Sequence, residues 1–156
     1  MVIDIGLCLE NREKIAKSLN EFLASTFVLY YKTHYAHWSV TGLQFLPLHE
    51  LFSKQYEELF EAIDPLAERV RSLGFSPPAC LKEMIDTSCI ESDKKSQGAL
   101  DTIRFLLVDH ETLVKKAQDV FDLCESLKDQ VTMDKMIERM DYHTKQAWFL
   151  RSHLES

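Results

Sequence analysis

Glycine and proline are scarce in this chain, four of each among 156 residues. A collagen-like repeat, a disordered segment and a turn-rich β-sandwich all need more of them. Their scarcity leaves room for long uninterrupted helices. There is no long hydrophobic run either. The longest apolar stretch, from Phe22 to Tyr31, is short and includes Ser25 and Thr26, so no bilayer-spanning segment is expected. The start, Met1-Val2-Ile3-Asp4, has no basic region, and no secretory signal is expected there. The four cysteines (Cys8, Cys80, Cys89, Cys124) form no C-x-x-C pair. They read as reduced thiols of a cytoplasmic protein. Positive charge is also in deficit, with a net charge of −7 and a pI near 5.3. That is the wrong sign for a dedicated nucleic-acid binder, whose affinity comes from neutralising phosphates. Finally, no histidine has a glutamate three residues before it. The Glu-x-x-His pair that lets a four-helix bundle hold two metals within one subunit is therefore absent.

The length fits one domain over residues 1–156 with a core of its own. Four segments have helical periodicity. The first runs from about Glu10 to Trp38, with Ile15, Leu19, Phe22, Leu23, Phe27 and Tyr30 on one side. It stops before Gly42. The second runs from about Pro47 to Leu73 and has the stripe Phe52, Tyr56, Leu59, Ile63, Leu66, Val70, Leu73. Steps alternating between four and three residues suit a helix packed lengthwise in a bundle. Gly74 ends it, and a crossover to about Asp93 follows, with a short helix predicted at Leu81–Ile85. The third helix, about Ser96 to Cys124, has the stripe Leu100, Ile103, Leu107, His110, Val114, Ala117, Phe121, Cys124. The fourth, about Val131 to Leu154, carries Met133, Met136, Ile137, Met140, Ala147, Trp148 and Leu154, the methionines as core filling. The predicted fold class is all-α: a four-helix bundle with one long crossover between its second and third helices.

Imidazoles and carboxylates cluster in the first half: His34, His37, His49, Asp64, Glu68. Such a donor set suits iron, zinc or manganese. At about 100° per residue, His49, Ser53, Asp64 and Glu68 share one flank of the second helix. Along the axis His49 and Asp64 are fifteen residues apart, or about 22 Å. They cannot share a metal within one subunit. Two copies of this helix meeting antiparallel across a two-fold axis would make two equivalent sites. A metal site built from these residues is an interface site.

The run Tyr31-Lys32-Thr33-His34-Tyr35-Ala36-His37-Trp38 resembles the Dps family of mini-ferritins, the DNA-binding proteins of starved cells. The likeness continues through Gly42 to Glu50, Ala62 to Arg69, Leu81 to Glu83, Asp109 to Leu113 and Ala147-Trp148, and covers about Ile15 to Leu154. The resemblance implies a ferritin-like bundle, a homo-oligomeric shell of twelve subunits, and a ferroxidase. Its substrates are Fe(II) and hydrogen peroxide, and it stores the ferric product and protects against oxidative stress. It also implies that the metal is held at a two-fold interface by His37 and His49 of one subunit and Asp64 and Glu68 of the other. By the same resemblance Trp38 sits beside the site, where the family's tryptophan intercepts oxidising equivalents.

One family ligand is missing. An Asp or Glu is expected one turn after the second histidine, and this chain has Ser53. One metal position, held by His37, Asp64 and Glu68, is expected to survive while the second is weakened. Glu50 and Glu57 are the nearby carboxylates that could substitute. Pro65 removes a backbone donor inside the second helix, at about 3 kcal/mol. The helix either kinks there or restarts with Asp64 as its N-cap, and the unbroken stripe favours a kinked continuous helix. His34 reads as a packed ring or a support for His37, His110 as a satisfied core residue, and His143 and His153 as helix surface. Glu125, Asp129 and Asp134 read as a solvated acidic loop or as the lining of a cation-attracting pore.

Zinc is the expected competitor, since the divalent affinity order places it above Fe(II). Two other readings stay open: a Dps-like shell without ferroxidase chemistry, acting by metal sequestration or DNA association, and a small bundle with no metal role. Basic residues near the start (Arg12, Lys14, Lys17) are offset by Asp4, Glu10 and Glu13, and no basic tail follows the last helix. DNA binding is therefore expected to be weak or absent. A gel shift at moderate salt is expected to show no retardation, and tight binding would refute this.

Overall fold

The computed structural model describes residues 3–92 and 98–155. The described chain is all-helical. Helix α1 spans Leu9–Ser39, α2 Phe45–Ser72, α3 Leu81–Thr87, α4 Ala99–Leu127 and α5 Gln130–Ser152. The four long helices are those predicted from periodicity, and α3 is the short helix of the crossover. The predicted start of the third long helix at Ser96 lies outside the described residues. Helix α1 packs on α2, α4 and α3, and α4 packs on α5.

The loop between α1 and α2 covers only residues 40–44, so the two helices run antiparallel as a hairpin. Ring pairs across them confirm the register: Tyr30 faces Tyr56, and His37 faces His49. Both helices press fully buried side chains into the core, Ile15, Leu19, Phe22, Leu23 and Leu29 from α1 and Leu48, Phe52 and Leu59 from α2. Burying each such side chain contributes roughly 1.5–3 kcal/mol.

Pro65 lies inside α2 and does not end it. Glu61, whose carbonyl loses its usual partner, is exposed, as is Pro65 itself. Water can satisfy that carbonyl, while Leu59, Leu66 and Val70 hold the opposite face in the core. The end of α2 is sharper. Gly74 has φ +94°, and a Cβ there would sit 2.5 Å from Ile3 Cδ1 and 2.9 Å from Arg12 Nη1. Arg12 is buried because its Nη1 donates to Leu73 O at 2.7 Å. Only glycine fits that approach.

Three sequence expectations need correction. On α4 the buried face is Ile103, Leu106, His110, Leu113, Ala117, Val120 and Cys124. It is rotated from the predicted stripe, so Leu107 and Phe121 are only flanking and Leu100 is half exposed. The longer apolar run of α4 allowed either face, and packing against α1 and α5 selected this one. His143 is not on a surface. It is fully buried, with its Nδ1 2.9 Å from Nδ1 of His110. Asp129 does not line a pore. It is buried, takes a bidentate bond from Arg69 (2.7 and 2.9 Å), and caps α5 through Thr132 N. The Arg69 guanidinium and Thr132 hold its carboxyl below the usual range against the opposing pull of burial. Glu125 and Asp134 remain exposed.

Polar ties join α2 to α5 as well. Gln55 Nε2 donates to Gln146 Oε1 at 3.0 Å, Tyr142 OH donates to Gln55 O at 3.2 Å, and Arg139 pairs with Glu58 at 2.6 Å. The core cysteine, Cys124, has its thiol pushed up to about 12 by burial. All four cysteines are free thiols.

The two buried histidines set an acid limit. Desolvation lowers His110 to about 3. Desolvation, then His110 and Arg139, lower His143 well below its ordinary value. Unfolded imidazoles take up protons below about pH 6.5, whereas these two do not while folded. Folding stability is therefore complete above about pH 6.5 and is lost as the pH falls toward 3. The slope is at most about 1.4 kcal/mol per unit for each ring. Urea unfolding between pH 7 and 5 is expected to show this loss, and a His110→Leu/His143→Leu variant is expected to flatten it. An equal slope in that variant would rule the pair out as its origin.

Candidate metal centre

The end of the α1–α2 hairpin brings His37 and His49 face to face, with ring centroids 3.7 Å apart and planes 21° from parallel. Each ring bonds the other's backbone. His37 Nδ1 lies 2.8 Å from His49 O, and His49 Nδ1 lies 2.9 Å from His37 O. A carbonyl oxygen only accepts, so both Nδ1 atoms carry the hydrogen. In the neutral ring each Nε2 is then left with the lone pair, the tautomer a metal ligand needs. Both rings are partly open to solvent. The reciprocal bonds fix the orientation of both imidazoles.

Ring contacts surround this pair. Phe45 lies 5.0 Å from His49, and Tyr56 meets His37 edge-on at 5.3 Å. His34 stacks on Tyr56 at 3.9 Å, touches Trp38 at 4.2 Å, and has its Nδ1 3.4 Å from the Tyr30 hydroxyl. His34 is thus a packed, hydrogen-bonded ring that braces Tyr56 beside His37. Trp38 itself is 58% exposed. Nothing in the spacing of these residues announced that they would form one row of rings, since it depends on the register of two separate helices.

The carboxylates lie elsewhere. Asp64 and Glu68 are exposed and belong to the same unbroken α2 as His49. The continuous helix keeps Asp64 about 22 Å along the axis from His49. Among the described residues, no three His, Cys, Asp or Glu side chains of one subunit gather as a metal cage. The structure therefore brings together His37 and His49, sets Trp38 against His34, and leaves Asp64 and Glu68 exposed. Ser53 Oγ donates to Glu57 Oε1 at 3.1 Å. The residue one turn after His49 is thus occupied with a neighbour on its own helix.

Comparison with known proteins gives this architecture its class. Residues 16–156 match the ferritin-like domain. The chain is 36% identical over 155 residues to an uncharacterized low temperature-induced protein of Nostoc sp., covering 98% of this chain and 87% of that one. It is 33% identical over 144 residues to the DNA protection during starvation protein of Brevibacillus brevis, covering 92% and 97%. Its fold matches the crystal structure of the Dps protein of Vibrio cholerae, described as a ferritin-like diiron-carboxylate protein. The TM-score is 0.92 at 27% identity, covering 99% of this chain and 98% of that chain. The chain belongs to the Dps family of ferritin-like proteins. Proteins of this family are iron-binding mini-ferritins with a role in stress protection.

The free lone pairs and the Ser53–Glu57 bond make opposite contributions, and substitution separates them. His37→Ala is expected to remove half of the imidazole pair and to weaken Fe(II) binding by one to two orders of magnitude, roughly the cost of disturbing a metal ligand's support. Ser53→Asp is expected to raise peroxide-driven iron oxidation by adding an anionic donor beside His49. An unchanged rate would mean that the absent carboxylate is not limiting.

Proposed function

We propose that this protein is a cytoplasmic ferroxidase and iron store, oxidising Fe(II) with hydrogen peroxide as its preferred oxidant and retaining the ferric product within a shell of twelve subunits. The observation that carries this reading is the His37–His49 pair, two imidazoles with both Nδ1 atoms bonded to backbone and no third ligand gathered beside them among the described residues of their own subunit. A two-fold partner supplies what is missing. Its Asp64 and Glu68 approach the imidazoles across the interface, and the reciprocal arrangement forms a second identical centre.

In that arrangement the residues divide the work. The Nε2 atoms of His37 and His49 hold Fe(II) without adding charge. The carboxylates of Asp64 and Glu68 supply the negative charge that stabilises Fe(III) over Fe(II). The exposed Trp38 stands where oxidising equivalents leave the site. No helix among the described residues is long and apolar enough to cross a membrane, and a shell of this kind works in the aqueous phase. Zn(II) competes for the same imidazoles and binds them more strongly by the divalent affinity order.

The test is anaerobic Fe(II) titration, followed by peroxide while ferric absorbance is recorded. Saturable binding is expected, with oxidation much faster than in a protein-free control and blocked by Zn(II). Absence of binding, or oxidation no faster than the control, would refute the ferroxidase reading. It would leave a shell that acts by sequestration or by association with DNA, the reading that the Ser53–Glu57 bond favours.

A further inference from the structure

Helix α5 has the most polar inner face of the four long helices. Its buried residues include Thr132, Arg139, His143 and Gln146, where α4 buries Ile103, Leu106, Leu113, Ala117 and Val120. Helix α4 packs along α5, whereas α2 reaches it through single polar contacts, such as Gln55 with Gln146 and Glu58 with Arg139. Elements with few buried apolar contacts open locally, well below the free energy of global unfolding. The start of α5 is held better than the rest, because Asp129 caps it and takes two bonds from Arg69.

His110 and His143 meet in the seam between α4 and α5. Both are 0% exposed, and their Nδ1 atoms are 2.9 Å apart. One hydrogen serves that contact, so one Nδ1 carries it and the other accepts. Both Nε2 atoms are buried without a partner. A first added proton goes to the bare Nε2, where no acceptor meets it. A second goes to the accepting Nδ1 and sets two N–H groups against each other. Phe22 of α1 and Tyr142 of α5 stand edge-on to His143, and neither ring supplies a countercharge. The charged groups of the surrounding helices are matched with one another. Glu58 of α2 pairs with Arg139 of α5, Glu21 and Lys32 of α1 with Lys116 and Asp109 of α4, and Glu111 of α4 with Arg151 of α5.

We propose that the His110–His143 contact is an acid-operated latch, releasing residues 139–152 of α5 from α4 while α1, α2 and α4 stay folded. The loss of stability with acid then falls on one element and not on the whole subunit. In the closed seam both rings stay neutral at pH 5, since burial lowers His110 to about 3 and, with His110 and Arg139, lowers His143 well below its ordinary value. In the open seam both take up protons, so acid draws the equilibrium toward opening. A released segment of this length keeps little helix by itself. Asp129 stays ionised, since against the pull of burial Thr132 and Arg69 hold its carboxyl below the usual range. The start of α5 therefore remains anchored and serves as the hinge. The latch is built from α4 and α5, apart from the His37–His49 hairpin, and works whether or not a metal is bound.

The experiment is hydrogen–deuterium exchange of the whole protein at pH 7 and pH 5, read by mass spectrometry and corrected for the intrinsic pH dependence of amide exchange. Each imidazole with an ordinary value near 6.5 when open favours opening by about 25-fold over this interval, and two by about 600-fold. Amides of residues 139–152 are expected to exchange faster by up to that factor, while those of α1 and α2 keep their protection. Equal acceleration in every helix, or none in α5, would overturn the proposal, and this comparison needs no variant. His110→Leu keeps the seam apolar and leaves one imidazole, so its acceleration is expected to fall to about 25-fold. Glu58→Gln removes the charge that pairs with Arg139 and is expected to keep the full response. An unchanged response in His110→Leu, or its loss in Glu58→Gln, would place the acid sensitivity outside the histidine pair and overturn the latch.

Discussion

The antiparallel pairing of α1 and α2 is the interaction on which the rest depends. The loop of residues 40–44 is too short to let the helices slide past each other, and the apolar faces of both helices fix their rotation. With register and rotation set, His37 and His49 have one relative position. Their Nδ1 atoms reach each other's backbone carbonyls. The chemistry of the pair is thus decided by core packing a turn or two away. The ring row from His37 through Tyr56 and His34 to Tyr30 has the same origin, since every member belongs to one of these two helices.

A second constraint is the length of α2. A continuous helix is a ruler, and this one holds the imidazole end and the carboxylate end too far apart to meet. Pro65 could have undone that by breaking the helix between them. It lies on the wet face, where the lost backbone bond is cheapest, while the buried face continues unbroken through Leu59, Leu66 and Val70. Arg69, bonded to Asp129 and to Thr132 Oγ1 at 2.9 Å, ties the far end of α2 to the start of α5. Asp64 and Glu68 are therefore presented on a stiff, anchored surface.

Much of this was legible in the sequence. The number and order of the helices, the crossover with its short helix, and the separation of His49 from Asp64 and Glu68 follow from periodicity and rise per residue. The choice between a kinked and a restarted helix at Pro65 followed from the stripe on both sides of it. What periodicity could not reveal was contact between distant segments. His143 looked like a surface residue because its neighbours on α5 are polar. Its burial depends on meeting His110, thirty-three residues earlier, on α4. Asp129 looked like one of several loop carboxylates until Arg69 of α2 came against it. The face of α4 was misjudged by a fraction of a turn because apolar residues occupy more than one side, and only the neighbouring helices decide between them. The tautomer of the histidine pair was out of reach as well, because it depends on carbonyl positions.

The locked pair has a consequence for ion selection. Magnesium and calcium are hard cations that prefer oxygen and gain little from imidazole nitrogen. The His37–His49 end offers them two nitrogens whose orientation cannot be adjusted, backed by a neutral serine hydroxyl that is already engaged. Divalent ions of the later transition series find the same nitrogens ready, with no ring rotation left to restrict. At the proposed centre the hairpin therefore disfavours the hard cations before any carboxylate is involved.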